Sequence, residues 1–327
     1  MNTPSSSKGY IQTTLSFSPL PRNATTKSKP SDEVESSPKR SNSLAQLAQE
    51  TKAVLPEILS KLSPSVTAEG KLYVRKDVDF LNQKYCPNYT LPANSPEPGR
   101  KGTRITVLDA DSFDATLDLE SRADSADKKP VAVLNMANAR VGGGGWLSGA
   151  LAQEEALCYR SSLSFTLKRR FYPLPDISGI YSPTVVIIRD SLAAGHSLLY
   201  PTVAPQHLPV VSVISVAAIR DPATTDTTPP TYQNDADREL MKSKIRMILR
   251  VSVLNGHRRL VLGALGCGAF RNPPGEVVEC FREVFGEREF SGGWWKDVVF
   301  AVMDDGGGER GDGNFGVFWR GLNGVVV

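Results

Sequence analysis

The stretch "VAVLNMANARVGGGGWLSGALAQEEALCYR", residues 131–160, decides the predicted fold. The apolar run from Val131 predicts a buried strand, residues 142–145 are a glycine loop, and residues 149–163 are predicted to form a helix. A glycine loop between a strand and a helix is typical of an anion-binding turn, because free backbone N–H groups and the helix dipole converge there. The acidic pair Glu154 and Glu155 repels an anion, so the ligand must offer more than negative charge.

A second glycine-rich loop follows another predicted strand in "RRLVLGALGCGAFRNPPGEV", residues 258–277. Neither loop matches GxxxxGK[ST], and neither has the acidic residue that follows a GxGxxG dinucleotide fingerprint. Each loop alone is most often only a tight turn. Two such loops at strand ends in one domain, however, suggest a diphosphate held from both sides. After the second loop, Asn272 is expected to cap a helix that has Pro273 at its first position.

The rest of the chain alternates between predicted strands and helices. Further strands are predicted at residues 71–74, from residue 104, and at 184–190, 208–216 and 297–304, with a long helix between Asn234 and Gly256. This alternation predicts one α/β domain with helices on both faces of a sheet. Residues 1–42 have the composition of a disordered tail. We therefore expect a folded domain over residues 43–327, with a helical and strand extension at 43–125 and a catalytic core at 126–305.

Composition excludes several classes of protein. With 38 basic and 35 acidic residues, the net charge of +3 is too small to predict direct nucleic-acid binding. Four scattered cysteines lack the spacing of a metal site or a disulfide framework, and no apolar run is long enough to cross a membrane. We expect an intracellular protein, nuclear or cytoplasmic, with no metal ligands.

One short motif lies in the predicted tail. Gln12, Leu15 and Phe17 loosely resemble a sliding-clamp-binding peptide. Ser18 and Pro19 occupy the positions where paired aromatic residues are expected, so a plain linker is the preferred interpretation.

The glycine loop and the acidic pair together resemble the signature of the poly(ADP-ribose) glycohydrolases of the macrodomain fold, in their microbial-type branch. Three glycines, Gly143 to Gly145, are followed by seven residues and then by Gln153-Glu154-Glu155. This resemblance implies a macrodomain-like three-layer α/β/α fold with a mixed central sheet and an N-terminal helical extension. Gly142 departs from the proline usual in microbial members, which implies a more mobile loop. Arg271 departs from a position that is often small, where it would touch a phosphate or partly block the site.

The resemblance also implies an activity: hydrolysis of ribose–ribose O-glycosidic bonds that releases ADP-ribose and reverses ADP-ribosylation, as in the DNA damage response. The substrate would be poly(ADP-ribose) or an ADP-ribosylated protein, and no cofactor is implied. Glu155 would be the general acid and base, Glu154 would orient ribose hydroxyls, and Phe270 would pack on the distal ribose. The other implied substrate-binding residues are Asn138, Gly143, Gly144, Gly145, Gln153, Gly266, Cys267, Gly268 and Ala269.

Two other functions stay open on the sequence. One is a non-catalytic macrodomain that only binds ADP-ribose, although a carboxylate pair beside a diphosphate adds little to binding. The other is a hydrolase of single ADP-ribose units. We expect the nearby negative charge to raise the pKa of the catalytic carboxyl group, so that it holds a proton near neutrality. Tyr159 and Tyr200 are possible adenine neighbours.

Overall fold

The computed structural model describes residues 37–124 and 126–327, with side chains from residue 42 onward. Most of the predicted tail, and the motif at Gln12, Leu15 and Phe17, lie outside the described residues. The centre of the fold is a seven-stranded sheet in the order β1-β4-β5-β3-β6-β7-β2. Its strands are β1 (Lys71–Val74), β2 (Ile105–Leu108), β3 (Ala132–Met136), β4 (Ser178–Val186), β5 (Val210–Val216), β6 (Arg259–Leu262) and β7 (Asp297–Ala301).

The sheet is mixed, as predicted. The β1–β4 and β4–β5 pairs are antiparallel, whereas the remaining neighbours run parallel. The helices are α1 (Ser37–Ser60), α2 (Ser112–Ser121), α3 (Gln153–Arg160), α4 (Leu163–Thr166), α5 (Asp235–Leu254), α6 (Pro274–Gly286) and α7 (Asn314–Leu322). None of the helices in the described ranges is long and apolar enough to cross a membrane.

Alternation along the strands builds two hydrophobic layers, because successive side chains of a strand point to opposite faces. In β3, Leu134 packs into the layer that contains α5, α6 and α7, whereas Val133 packs into the layer that contains α2 and α3. Both residues are almost completely buried. The three-layer α/β/α prediction is therefore confirmed.

Helix α1 supplies the N-terminal extension and packs behind α3. Leu44 and Ala48 join the same buried layer as Leu157 of α3. The hydroxyl of Thr51 donates a hydrogen bond to the carbonyl of Tyr159 over 2.9 Å. The helix begins at Ser37, six residues before residue 43, where the sequence predicts that the folded domain begins. The extension therefore supports the helix that carries the acidic pair.

Two predicted helix starts are wrong. Helix α3 begins at Gln153 rather than near residue 149, because Gly149 has φ of 82° and ends a short 3-10 turn at Trp146–Ser148. Helix α6 begins at Pro274 with Pro273 as its N-cap, so Asn272 is not the capping residue. The first correction places Glu154 and Glu155 in the first turn of their helix.

The C-terminal region also differs from the prediction. Helix α7 follows the glycine-rich segment at residues 304–314 and was not predicted. Trp294 and Trp295 are almost completely buried in the layer of α5 and α6. Strand β4 begins at Ser178, earlier than the predicted start at residue 184. These elements complete one face of the sheet rather than the site.

Candidate active site

A cleft of about 150 Å³ lies at the carboxyl ends of β5, β3 and β6. These three strands are parallel neighbours, so the loops that leave them meet at one edge of the sheet. The predicted site residues that line the cleft are Asn138, Gln153, Glu154, Glu155, Gly266, Gly268, Ala269 and Phe270. The sheet thus brings the two sequence motifs together.

Four predicted residues do not line the cleft: Gly143, Gly144, Gly145 and Cys267. Small or flexible apolar side chains that the sequence did not indicate contribute instead, namely Met136, Ala137, Ala152, Ala218 and Ala264. Four of these five are alanines, which leave space between the two loops.

The glycine loop binds the acidic pair directly. The amide of Gly143 donates to Oε1 of Glu154 over 3.1 Å, and the amide of Gly145 donates to Oε1 of Glu155 over 2.9 Å. The amide of Gly144 donates to the carbonyl of Val141. All three N–H groups therefore have acceptors within the protein, and their predicted role in binding a diphosphate stays a prediction.

Glu154 is the more deeply buried of the two acids. Its Oε2 accepts a 2.7 Å hydrogen bond from the amide of Asn138, and its Oε1 also accepts one from the side chain of Asn135. Burial raises the pKa of Glu154 to about 7 against these hydrogen bonds, and the charge of Glu155 raises it further. The cleft wall thus contains a buried carboxyl group that is partly protonated near neutral pH.

Glu155 is held at both oxygens by backbone donors. Besides the bond from Gly145, its Oε2 accepts a 3.1 Å hydrogen bond from the amide of Ala152, the N-cap of α3. Each oxygen accepts one bond and keeps acceptor capacity for a proton or a hydroxyl group. The side chain is 8% exposed and lines the cleft. It is positioned as a reacting group would be.

The polar atoms of the Gln153 side chain form their hydrogen bonds within the protein, although the residue lines the cleft. Its Oε1 accepts from the amide of Met136, and its Nε2 donates to the carbonyl of Leu134 and to the hydroxyl of Ser112. All of these partners belong to the protein, so the side chain fixes the start of α3 against the end of β3. This contact pattern argues against the predicted role in binding substrate.

Asn138 combines both of the roles that a loop asparagine can have. Its Oδ1 accepts hydrogen bonds from the amides of Arg140 and Val141, which shapes the loop. Its Nδ2 has no acceptor among the described residues and lies in the cleft wall. Both N–H donors of this group are therefore left for a ligand.

The second loop offers the unpaired amides that the first loop lacks. The N–H groups of Gly268, Ala269 and Phe270 have no acceptor in the described part of the chain, and all three residues line the cleft. Cys267 points elsewhere, its thiol lying 3.7 Å from the carbonyl of Leu265, and burial raises the pKa of that thiol. These three amides are therefore available as backbone donors to an anion in the cleft.

Asn272 fastens the second loop, a role that sequence reasoning missed. Its Nδ2 lies within hydrogen-bond distance of the carbonyls of Ile219, Gly266 and Phe270, and its Oδ1 accepts from the hydroxyl of Tyr232. The side chain is buried. The asparagine beside two prolines was visible in the sequence, but capping was the simpler explanation.

Other missed residues position the acids from behind. Asn135 lies in the middle of an apolar strand and bridges Glu154 and the hydroxyl of Ser215. Tyr159 is completely buried, with its hydroxyl near the carbonyls of Trp146 and Ala150. It therefore supports the glycine loop and is not an adenine neighbour. Tyr200 bonds Glu57 and does not line the cleft.

Close packing around the backbone explains why residue 142 is a glycine. A Cβ at this position would lie 2.8 Å from Cβ of Leu167 and 3.1 Å from the ring of Tyr172. The backbone of this loop is therefore too close to its neighbours for the larger residue that microbial relatives usually carry. The expected mobility of the loop stays a prediction.

Comparison with known proteins identifies the family of the chain. The family model described as the catalytic domain of microbial-type poly(ADP-ribose) glycohydrolase (PARG) matches residues 57–190. A PARG structure from Deinococcus radiodurans in complex with ADP-ribose shares 32% identity at a TM-score of 0.54, covering 67% of this chain and 84% of that one. The chain belongs to the microbial-type PARG family.

Other PARG structures match over more of the chain. PARG from Thermomonospora curvata has a TM-score of 0.64 at 28% identity, covering 85% of this chain and 99% of that one. Its structure bound to the inhibitor ADP-HPD has a TM-score of 0.63 at 27% identity, with the same coverage. Curated protein sequences gave no match. The PARG fold thus extends over most of the described residues.

Proposed function

We propose that this chain is a poly(ADP-ribose) glycohydrolase that cleaves ribose–ribose bonds, with Glu155 as general acid and base. One observation carries the proposal. Glu154 and Glu155 are both held by amides of the glycine loop at the wall of a cleft, and unpaired amides border that cleft from the second loop. Related PARG structures from two bacteria contain ADP-ribose or ADP-HPD, which supports the same ligand here.

The ligand would be bound by donors that the protein leaves free. Amides of Gly268, Ala269 and Phe270 would bind the diphosphate without cationic side chains, since no lysine or arginine lines the cleft among the described residues. The free Nδ2 of Asn138 and the carboxyl group of Glu154 would hold hydroxyl groups of the distal ribose. The ring of Phe270 would cover that ribose.

In the chemical step, Glu155 would protonate the departing ribose oxygen as the glycosidic bond breaks through an oxocarbenium-like state. The resulting carboxylate would then take a proton from the attacking water. The bonds from Gly145 and Ala152 hold the carboxyl group in place in both protonation states. The partly protonated Glu154 beside it limits the negative charge next to the diphosphate.

The deciding experiment is digestion of purified poly(ADP-ribose) by the wild type and by Glu155→Gln. We expect the wild type to release ADP-ribose and Glu155→Gln to lose turnover while keeping most of its affinity for ADP-ribose. Glu279→Gln, on the exposed face of α6, is the matched control and should behave like the wild type. An active Glu155→Gln protein would refute the assignment of the acid.

The same assay separates the alternatives. Binding of ADP-ribose by the wild type without any release from polymer or from mono-ADP-ribosylated protein would indicate a binding module. Release only from the mono-modified substrate would indicate a mono-ADP-ribosyl hydrolase. The intracellular location, nuclear or cytoplasmic, stays a prediction from the sequence.

A further inference from the structure

Two exposed arginines flank Phe270 just outside the cleft. The guanidinium of Arg220 lies 5.7 Å from the centre of the Phe270 ring, and Arg271 follows Phe270 directly in the chain. Their side chains are 69% and 82% exposed, and neither residue lines the cleft. Asp221 lies between them, 3.5 Å from Arg220 and 3.6 Å from Arg271. The cluster therefore has a net positive charge.

The backbone holds this cluster in an uncommon conformation. Asp221 and Arg271 have φ of 49° and 54°, two of only four residues other than glycine with positive φ in the described ranges. The amide of Asp221 donates to the carbonyl of Phe270, and the buried Asn272 ties Ile219 to the same segment. Backbone strain of this kind concentrates at functional sites. These hydrogen bonds therefore join the two segments that carry Arg220 and Arg271.

Arg271 contributes little to the fold that presents it. Its side-chain partner among the described residues is the half-exposed Asp221, at a distance that adds little stability. Glycine would adopt φ of 54° without the steric penalty of a Cβ. The exposed guanidinium is therefore available to a ligand, and a planar guanidinium is well suited to phosphate.

We propose that Arg220 and Arg271 form a phosphate subsite for the part of poly(ADP-ribose) that extends beyond the scissile bond. This proposal rests on the proposed function. Under the proposed function, one ADP-ribose unit would occupy the cleft, where backbone amides would bind its diphosphate. A polymer places further diphosphates outside the cleft, beyond the ring of Phe270. A single ADP-ribose attached to protein has no such group there, so the subsite favours polymer over mono-modified substrate.

The most informative variant is Arg271→Gly, because glycine removes the charge and relieves the backbone at once. We expect its melting temperature to equal or exceed that of the wild type and its affinity for ADP-ribose to stay within about twofold. Its kcat/KM on polymer should fall about two- to fivefold at low salt, a size typical of one exposed charge contact. The deficit should shrink at about 0.5 M salt, because exposed charges are screened there.

Three further variants test whether the effect on polymer cleavage belongs to the two arginines. Arg271→Lys keeps the charge without the planar fork and should lie between the wild type and Arg271→Gly. Adding Arg220→Ala to Arg271→Gly should deepen the loss on polymer. Arg282→Ala removes one exposed charge from α6, away from the cleft, and should match the wild type.

Several outcomes would overturn the subsite. Unchanged polymer kinetics in Arg271→Gly would do so, and faster cleavage would show instead that the arginine blocks the entrance. An equal loss of affinity for ADP-ribose would place the arginine in the cleft. If the wild type cleaves no polymer, the proposed function fails, and binding of polymer compared with ADP-ribose then tests the subsite alone. Equal polymer affinity in Arg271→Gly and wild type would refute it.

Discussion

The amide of Gly145 donates a hydrogen bond to Oε1 of Glu155 over 2.9 Å, so the glycine loop and the proposed catalytic acid form one unit. Gly144 lies against the same oxygen, and a Cβ at this position would overlap it. The loop therefore needs glycine for the close approach of a carboxylate. This relationship explains why a glycine run and an acidic pair occur so close together in the sequence.

Gly144→Ala should reduce kcat on poly(ADP-ribose) by about 100-fold, since the new methyl group displaces Glu155 from its position. The backbone at Gly144 also has φ of 55°, which strains alanine. Gly195→Ala separates the two effects, because Gly195 has φ of 88° and open space around it. This control should lose some stability and keep full activity. Equal activity in both variants would show that displacement of the acid is unimportant.

Glu154→Gln should change how stability depends on pH. Burial raises the folded-state pKa of Glu154 to about 7 from the usual 4.5, so the folded protein binds this proton more tightly than the unfolded chain. That contribution is complete below the unfolded pKa and is lost as the pH rises through the folded pKa.

Between about pH 5.5 and pH 8.5 the wild type should therefore lose about 2 kcal/mol that Glu154→Gln does not lose. Urea denaturation at the two pH values measures this difference. The absolute stability of the variant is not the criterion, because an amide replaces an acceptor of three N–H groups. Parallel pH profiles in wild type and variant would contradict the raised pKa.

Gly268→Ala tests whether the second loop binds the anion. No heavy atom lies within 4 Å of a Cβ at this position, so the free protein should keep its stability. The methyl group would occupy the cleft beside the unpaired amides, and we expect ADP-ribose affinity to fall about tenfold or more, a loss of about 1.4 kcal/mol. Calorimetric titration provides the measurement. Gly275→Ala, in the first turn of α6, is the control that should bind normally.

Asn272→Ala should weaken both the fold and the site. The substitution leaves the part-buried carbonyl of Ile219 without its donor and the carbonyl of Phe270 with only the bond from the amide of Asp221, which costs about 2 kcal/mol in the free energy of unfolding. Release of the loop should lower ADP-ribose affinity as well. Tyr232→Phe removes only the hydroxyl partner of Asn272 and should retain most binding. Loss of stability with unchanged affinity would show that the loop keeps its shape without Asn272.

The sequence predicts the strands and helices around the site better than the hydrogen bonds of the loops between them. Apolar period and glycine spacing locate β3, β6 and the acidic pair, because these signals are local. The direction of the amides of Gly143 and Gly145 depends on the φ values of a turn, and glycine leaves φ free. The sequence therefore predicts residues of the cleft, but it does not show that the amides of Gly143 and Gly145 donate to the acidic pair.

Burial is the second property that could not be predicted locally. Glu154 and Glu155 have the pattern of a solvated pair at a helix start, yet both are buried against the glycine loop, and Glu154 also against the end of β3. The pKa rise at Glu154 follows from that burial and has no separate sequence signal. Asn135 could have been found, because a polar residue inside an apolar strand needs a partner.

The pairing of β3 with β6 sets the distance between the two strand ends at the base of the cleft. Neighbouring strands lie about 4.8 Å apart, a distance fixed by backbone hydrogen bonds. The strand ends from which the two cleft walls start therefore keep a constant separation, and the side chains of Gln153 and Asn272 hold the walls on them. Substitutions in either hydrophobic layer should alter melting temperature long before they alter which ligand fits. The ligand preference of the site should therefore tolerate substitutions in the hydrophobic core.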